Sequence, residues 1–174
     1  MKMFNIILII FYKGDNMEKK ERLKMINFLS DILSKSNISD FKHIELENDK
    51  DVNFLISPKI KYKNKEENIQ LQLMIYCSDN ESLSIYCPLL YKLLDKDSLV
   101  YTLSSINEVN SKVAIGKIYM NKDNNSVISY IYRALFNNIY EELTPQLIND
   151  YIDAFLLASI EFYSKMKEVV DEDK

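Results

Sequence analysis

Glycine and histidine are almost absent from this sequence, and their scarcity excludes several kinds of chemistry. The 174 residues include two glycines, Gly14 and Gly116, and one histidine, His43. Phosphate-binding and dinucleotide-binding loops need several glycines close together, which two isolated ones do not supply. A lone histidine without a second ligand predicts an exposed polar residue, and no serine or cysteine has the context of a catalytic nucleophile. We therefore predict a non-catalytic protein with no metal and no cofactor.

Cysteine is also scarce, and the spacing of its two copies argues against a disulfide. Cys77 and Cys87 belong to two alternating segments joined by turn-forming residues at 78–81. In an antiparallel hairpin Cys77 pairs near Leu83 and Cys87 near Leu73, an offset of about four residues, or roughly 13 Å at ~3.3 Å per residue. A disulfide needs Cα atoms within ~7 Å. We expect two buried free thiols in a reducing, cytoplasmic environment.

Neither sign of charge dominates the composition. Lys and Arg total 22 against 26 Asp and Glu, so the formal net charge is −4. A mildly acidic chain has no overall attraction to nucleic acid or to an anionic membrane surface. The 12 tyrosines have few basic residues among them, which favours sheet and core packing over stacking on single-stranded nucleic acid. We expect a protein partner or a homodimer, no nucleic acid and no stable membrane insertion.

The longest apolar run is residues 3–12, MFNIILIIFY. It is about half the ~20 residues that a membrane-spanning helix requires, and no small-residue cleavage site follows it. Residues 13–17, KGDNM, can be encoded by a purine-rich ribosome-binding site followed by a start codon. We therefore predict that translation begins at Met17 and that residues 1–16 are a misassigned start. An extra strand or apolar cover, or membrane contact, are the alternatives, and an intact mass that includes residues 1–16 would contradict the prediction.

The remaining composition predicts a single folded domain. Hydrophobic residues make up 47% of the chain, and two glycines with three prolines leave little room for flexible linkers. We assign residues 17–170 to one α+β domain and residues 171–174 to an acidic tail.

Three segments have the spacing of amphipathic helices. The first covers residues 17–36. The second begins at Leu99 and places Leu99, Leu103, Ile106 and Val109 on one face. The third follows Thr144, a natural N-cap, and Pro145, a favoured first helical residue. Its predicted buried face consists of Ile148, Ile152, Phe155, Ser159, Phe162 and Met166.

Alternation with a period of two predicts the strands. Residues 69–77 and 82–88 form one hairpin, and residues from 113 onward pair with 126–135 around the polar turn at 121–125. Residues 52–56 are a short strand within a weakly patterned region, 41–65. The prediction is an antiparallel sheet of about five strands, flanked by N-terminal, central and C-terminal helices.

The alternation also separates two faces of this sheet. We predict a core that contains Leu71, Leu73, Ile75, Leu83, Ile85, Leu103, Ile106, Ile118, Phe155 and Phe162. The opposite face mixes aliphatic residues, tyrosine and arginine, which is typical of protein interfaces. Its candidate interface residues are Met74, Tyr76, Tyr86, Ile115, Tyr119, Ile131 and Arg133. The alternative is that a helix crosses to this side and turns it into ordinary core.

Gly116 is expected to have a structural role. A tight hairpin places it near Tyr130, whose ring can lie over a strand position that has no side chain. The alternative is that Gly116 only relieves crowding where a helix approaches the strand.

Residues 106–136, INEVNSKVAIGKIYMNKDNNSVISYIYRALF, with the helix after Thr144, resemble the YbjN family, which shares the fold of type III secretion chaperones. In that family a helix that ends in an Asn-containing turn leads into a strand, a polar turn and a second strand, and Asn107, Asn110 and Gly116 match this pattern. The resemblance implies a type III secretion chaperone-like fold and a small cytoplasmic module that is chaperone-like or regulatory. A purely structural self-assembling subunit, or an enzyme with no recognisable motif, are the alternatives.

Overall fold

The structure of the protein is a computed structural model that describes residues 19–36, 38, 40–45, 51–56, 59–61, 68–70, 73–77, 82–93, 98–121 and 126–172. The proposed misassigned start at residues 1–16 lies outside the described residues. In chain order the elements are α1 (Lys19–Lys35), β1 (Phe41–Ile44), β2 (Val52–Ile56), β3 (Lys59–Lys61), β4 (Asn68–Gln70), β5 (Leu73–Cys77), β6 (Ser82–Lys92), α2 (Leu99–Lys112), β7 (Lys117–Met120), β8 (Val127–Leu135), α3 (Ile139–Glu142) and α4 (Pro145–Glu172).

The main sheet has six strands in the order β1-β2-β5-β6-β8-β7, and every neighbouring pair is antiparallel. The predicted α+β fold class is therefore confirmed, with one strand more than the expected five. The additional edge strand is β1, which falls in the weakly patterned region. β3 and β4 form a separate two-stranded ladder. Its register continues that of β2 and β5, so both ladders belong to one long hairpin.

The described helices cover one face of the sheet. Phe155 of α4 packs edge-on against Tyr130 of β8 with ring centroids 5.0 Å apart. Farther along α4, Phe162 packs against Tyr91 of β6 at 5.8 Å. α1 and α2 both pack against α4, and α2 also contacts β7. All of these contacts lie on the same side, so no described helix crosses to the other face.

The core prediction is mostly confirmed. Seven of the ten predicted core residues are at most 6% exposed: Ile75, Leu83, Ile85, Ile106, Ile118, Phe155 and Phe162. Leu71 and the side chain of Leu73 lie outside what the structure describes. Leu103 was predicted wrongly, because it is 43% exposed. α2 instead turns Thr102, Ser105, Ile106 and Val109 inward.

α4 follows its predicted pattern closely. Thr144 Oγ1 accepts a hydrogen bond of 3.1 Å from Leu147 N, as an N-cap does, and Pro145 is the first helical residue. All six residues of the predicted apolar stripe are at most 6% exposed. The helix runs through Glu172, so it includes the first half of the predicted acidic tail at 171–174.

The two cysteines are free and buried. Cys77 pairs with Leu83 across the β5–β6 ladder, which is the predicted register. Cys77 Sγ donates to the carbonyl oxygen of Ser82 at 2.9 Å. Burial raises the pKa of the Cys87 thiol to about 12, so this thiol stays protonated at neutral pH.

Candidate functional site

The sheet surface opposite the helices is the candidate functional site, and we call it the open face. Strand pairing defines its members, because directly opposed residues share a face. One row crosses all six strands. From β1 to β7 it consists of Lys42, Leu55, Met74, Tyr86, Ile131 and Lys117. Further members from the described strands are Ile44, Asn53, Ser84, Lys92, Tyr119, Val127, Ser129, Arg133 and Leu135.

The apolar part of this row is separate from the main core. Leu55, Met74, Tyr86 and Ile131 belong neither to the contiguous hydrophobic cluster beneath the helices nor to the half-buried side chains packed against it. Leu55, Met74 and Ile131 are half-buried. They provide apolar area on a side of the sheet where no described helix packs.

Tyr86 departs from the prediction. It lies in the row between Met74 and Ile131, but only 2% of it is exposed. Its small neighbours Ser84 and Ser129 are equally inaccessible, at 2% and 0%. Tyr86 therefore does not provide contact area to a partner, and the centre of the open face is inaccessible.

Ile115 was also assigned to this face, and that assignment is wrong. The alternation was extended back to Val113, but β7 begins only at Lys117. Ile115 lies in the preceding connection and packs against the main core. The carbonyl oxygen of Ile115 accepts a hydrogen bond of 3.2 Å from Tyr130 Oη.

The other predicted interface residues lie on the open face. Tyr119 is half-buried and pairs with Ser129. Arg133 is exposed and pairs with Ser84. Tyr76 has its backbone in the same row of pairs, while its side chain is outside what the structure describes. The structure thus brings most of the candidates together around Met74 and Ile131.

Sequence reasoning missed two members of the central row, Lys42 and Leu55. Lys42 pairs with Leu55, and Leu55 pairs with Met74, so both extend the row to the sheet edge. The sequence FKHI at residues 41–44 gives no alternating signal, because two polar residues, Lys42 and His43, stand between Phe41 and Ile44. Four residues without alternation are too few to predict a strand.

Three of the four predicted structural residues meet at the junction between α2 and β7. Asn110 Nδ2 donates to the carbonyl oxygen of Ile118 at 2.7 Å, and Ile118 N donates to Asn110 Oδ1 at 2.8 Å. The side-chain amide of Asn110 thereby satisfies the backbone N–H and C=O of Ile118 on the edge strand β7, as a neighbouring strand would. Asn107 is exposed and lies outside this junction in the described structure.

Gly116 and Tyr130 complete the junction. Gly116 has a φ of +73°, which favours glycine. A Cβ built on it would lie 2.0 Å from Tyr130 Oη, so the Tyr130 ring lies over the glycine. The direct cross-strand partner of Tyr130 is Ile118, and the ring reaches Gly116 diagonally. Burial raises the pKa of Tyr130 above its ordinary value of 10.0, which keeps its hydroxyl a hydrogen-bond donor.

An ion-pair cluster joins α2 to α4 on the helical side. Glu108 Oε1 lies 2.6 Å from Lys165 Nζ and 2.9 Å from Lys112 Nζ, and Lys112 also contacts Glu161 at 2.9 Å. Hydrogen bonds from Lys165 and then Lys112 lower the pKa of Glu108 below its ordinary value of 4.5. Because Glu108, Lys112 and Glu161 are 42–53% exposed, solvent screens the contribution of this cluster to stability.

No cluster of three or more potential metal ligands occurs among the residues that the structure describes. His43 was expected to be exposed. It is instead half-buried, with its ring 5.4 Å from that of Phe54. The described part of the chain also contains no helix of the length and hydrophobicity needed to cross a membrane.

Comparisons with known proteins find a similar fold but assign no activity. No protein-family model matches the sequence, and no curated protein matches it. The chain is similar to the crystal structure of an uncharacterized protein from Methanothermobacter thermautotrophicus, with a TM-score of 0.50 and 13% sequence identity. The match covers 84% of this chain and 97% of that one. At this identity the similarity shows a shared α+β fold alone.

Proposed function

We propose that this protein is a non-catalytic interaction module that binds a protein partner through the open face of its sheet. The observation that carries the proposal is the set of half-buried apolar side chains Leu55, Met74 and Ile131, which lie outside the main core. Apolar area on a sheet face where no described helix packs is the kind of surface that a partner can desolvate. The resemblance to the YbjN family, with its chaperone-like or regulatory modules, agrees with this role and remains a prediction.

The open face groups its apolar residues differently from the helical side. On the helical side, exposed aliphatic residues lie on α2, where Leu99, Val100 and Leu103 are 52%, 79% and 43% exposed, and singly on α4, where Leu157 is 67% exposed next to Glu161 and Asp153. On the open face, Met74 and Ile131 flank the same tyrosine within a single row. Binding energy in protein interfaces comes from such clustered positions more than from scattered ones.

The test is to substitute Tyr119 and Ile131 individually by Asp and to measure partner capture. The full-length tagged protein is expressed in its native host and purified under mild conditions. Leu157→Asp is the matched control, because it places the same charge at an exposed aliphatic position of the helical side. Far-UV circular dichroism and thermal unfolding of each purified variant establish that it is folded. Light scattering on the purified wild type reports whether the partner is a second copy.

We expect Tyr119→Asp and Ile131→Asp to remain folded and to lose the partner or the dimer, while Leu157→Asp keeps it. Unfolding of both open-face variants would show that the face is ordinary core. Retention of the same partner by both folded variants would place the binding surface elsewhere.

A further inference from the structure

The centre of the open face is buried although no described helix packs on it. Tyr86, Ser84 and Ser129 are 2%, 2% and 0% exposed, and Asn53 and Ser82 on the same face are 2% and 3% exposed. Neighbours within a sheet face bury the sides of a tyrosine ring, but its outer side stays open whether the ring stands upright or lies over the serines. All of the described helices pack on the other side of the sheet. The burial of Tyr86 therefore needs a cover from elsewhere.

The sequence restricts which part of the chain can supply this cover. After residue 36, the stretches outside the described residues are one to six residues long, and none contains more than one large apolar residue. The β3–β4 ladder has a single pair of aliphatic residues, Ile60 and Ile69, among polar ones. Residues 3–12, MFNIILIIFY, contain nine apolar residues and one Asn. Outside the described residues, this stretch alone has enough apolar surface to cover the face.

We propose that residues 3–12 lie across the centre of the open face as an intramolecular cover. This inference adopts the alternative of an apolar cover for residues 1–16 and sets aside the predicted start at Met17. Ten residues span about 33 Å when extended, at ~3.3 Å each, and about 15 Å as a helix, at 1.5 Å each. Either length crosses the three strand spacings between β2 and β8, which add up to roughly 14 Å at ~4.8 Å each.

The position of α1 lets the segment reach this face. Near the start of α1, Arg22 Nη2 donates to the carbonyl oxygen of Asp51 at 3.5 Å. The helix therefore begins near the end of the sheet where β2 starts, which is also the end where Asn53 and Ser82 lie. Residues 13–18 leave six positions for the connection, which reach about 20 Å when extended. That is roughly the distance between a layer ~10 Å above the sheet and one ~10 Å below it.

The chemistry of the covered area suits an apolar occupant. Leu55, Met74 and Ile131 are half-buried around Tyr86, and a bulky aliphatic or aromatic side chain of the segment buries them further. The partner of the proposed function then competes with residues 3–12 for the same face, so the segment is autoinhibitory. That consequence rests on the proposed function, whereas the cover itself does not.

Thiol labelling of the full chain measures the cover. Ser84→Cys places a side chain of nearly the same size at the covered centre. The native thiols of Cys77 and Cys87 are buried and report on the core beneath the helices. The protein is treated with a maleimide, and mass spectrometry of the peptides gives the labelling rate of each cysteine. Circular dichroism establishes that each variant is folded.

Charges placed in the segment should remove the cover. We expect the Ser84→Cys thiol to react at least tenfold faster when Ile7→Asp and Ile9→Asp are also present, since thiol reactivity depends on exposure. The matched control carries Val100→Asp and Leu157→Asp, at two exposed aliphatic positions of the helical side. It should leave the labelling rate at Ser84→Cys unchanged.

Cross-linking identifies what lies on the face. Met74→Cys, at a half-buried position beside Tyr86, is combined in turn with Ile7→Cys and with Leu8→Cys. A short bis-maleimide is added to the dilute protein. Leu157→Cys replaces Met74→Cys to sample the helical side, and Ile60→Cys replaces the segment cysteine to sample β3. We expect a cross-link between the segment and Met74→Cys and none in the two comparison pairs.

The natively expressed protein should also have an intact mass that includes residues 1–16. A mass that begins at Met17, a labelling rate that the segment charges leave unchanged, cross-linking of the segment to both sides alike, cross-linking of β3 to the face, or no cross-link each overturns the inference. If the segment charges expose Cys77 and Cys87 as well, the cross-link and the mass decide. None of these measurements uses a partner, so their failure is distinct from loss of the proposed function, which the capture experiment judges.

Discussion

Replacing Gly116 by Ala tests the junction between α2 and β7. Two independent physical effects oppose the substitution. The backbone at Gly116 has a φ of +73°, a conformation that an L-residue adopts at a cost of about 1 kcal/mol. The new Cβ would also lie 2.0 Å from Tyr130 Oη, 2.3 Å from its Cζ and 2.6 Å from its Cε2. Real Cβ atoms do not approach other atoms so closely, so the ring must move.

The magnitude follows from how little room the Tyr130 ring has. It is 0% exposed and packs edge-on against Phe155 at 5.0 Å. Its hydroxyl is also bonded to Ile115 O. Overpacking of a well-packed core costs about 1–3 kcal/mol, so the two effects together predict a loss of about 2–4 kcal/mol. For a domain of this size each kcal/mol lowers the melting temperature by about 2–4 °C.

Equilibrium urea unfolding followed by circular dichroism measures this loss, and a double-mutant cycle separates the two effects. In a Tyr130→Ala background the clash is absent, so Gly116→Ala should cost only about 1 kcal/mol. Gly116→Asn is the matched control, since Asn tolerates positive φ but has the same Cβ. It should be nearly as harmful as Ala. A loss below about 1 kcal/mol in the wild-type background, or an equal loss in both backgrounds, would refute the steric account.

Four further predictions concern separate parts of the structure. Truncating Phe155 to Ala should cost about 3–5 kcal/mol by urea unfolding, and a loss under about 1 kcal/mol would mean that the register of α4 is wrong. Asn110→Ala should cost about 1–3 kcal/mol, because it removes the amide from the backbone of an edge strand; the exposed neighbour Asn107, changed to Ala, should alter stability by less than about 0.5 kcal/mol. Both cysteines should resist a thiol reagent in the native protein and react fully in denaturant, and rapid native reaction would contradict their burial. Glu108 has a lowered pKa in the fold, so its stabilisation is present above pH 4.5 and is lost as the pH falls further; Glu108→Gln should therefore lower the melting temperature at pH 6 more than at pH 3.

The elements that sequence reasoning predicted well are those in which all of the local signals agree. α4 combines an N-cap at Thr144 and a first-turn Pro145 with a long uninterrupted stripe, and all of these features occur in the structure. The hairpin of β5 and β6 follows from alternation on both sides of a polar turn, and its register places Cys77 opposite Leu83 as predicted. Long periodic segments contain enough repeats to determine both the type of secondary structure and the face that is buried.

α2 shows how tertiary packing overrides such a pattern. Its two candidate faces share Ile106 and Val109, and the face that adds Leu99 and Leu103 was predicted to be buried. The structure leaves Leu99 52% and Leu103 43% exposed, and turns Thr102 and Ser105 inward. The inward hydroxyl of Thr102 donates to the carbonyl oxygen of Ser98 at 2.9 Å, so its burial leaves no unpaired polar group. Where the helix approaches α4 closely, small side chains fit and leucines do not.

The candidate site could be predicted only in part, because its chemistry depends on strand pairing more than on any segment by itself. No single stretch contains both Lys42 and Lys117, which are 75 positions apart in the sequence. They become the two ends of one row only through the successive registers of six strands. A shift of one residue in any of these pairs would move the side chains of that strand to the opposite face. The error at Ile115 has a related cause, since four extra residues of assumed strand, 113–116, were enough to assign a side chain that packs against the core to the binding surface.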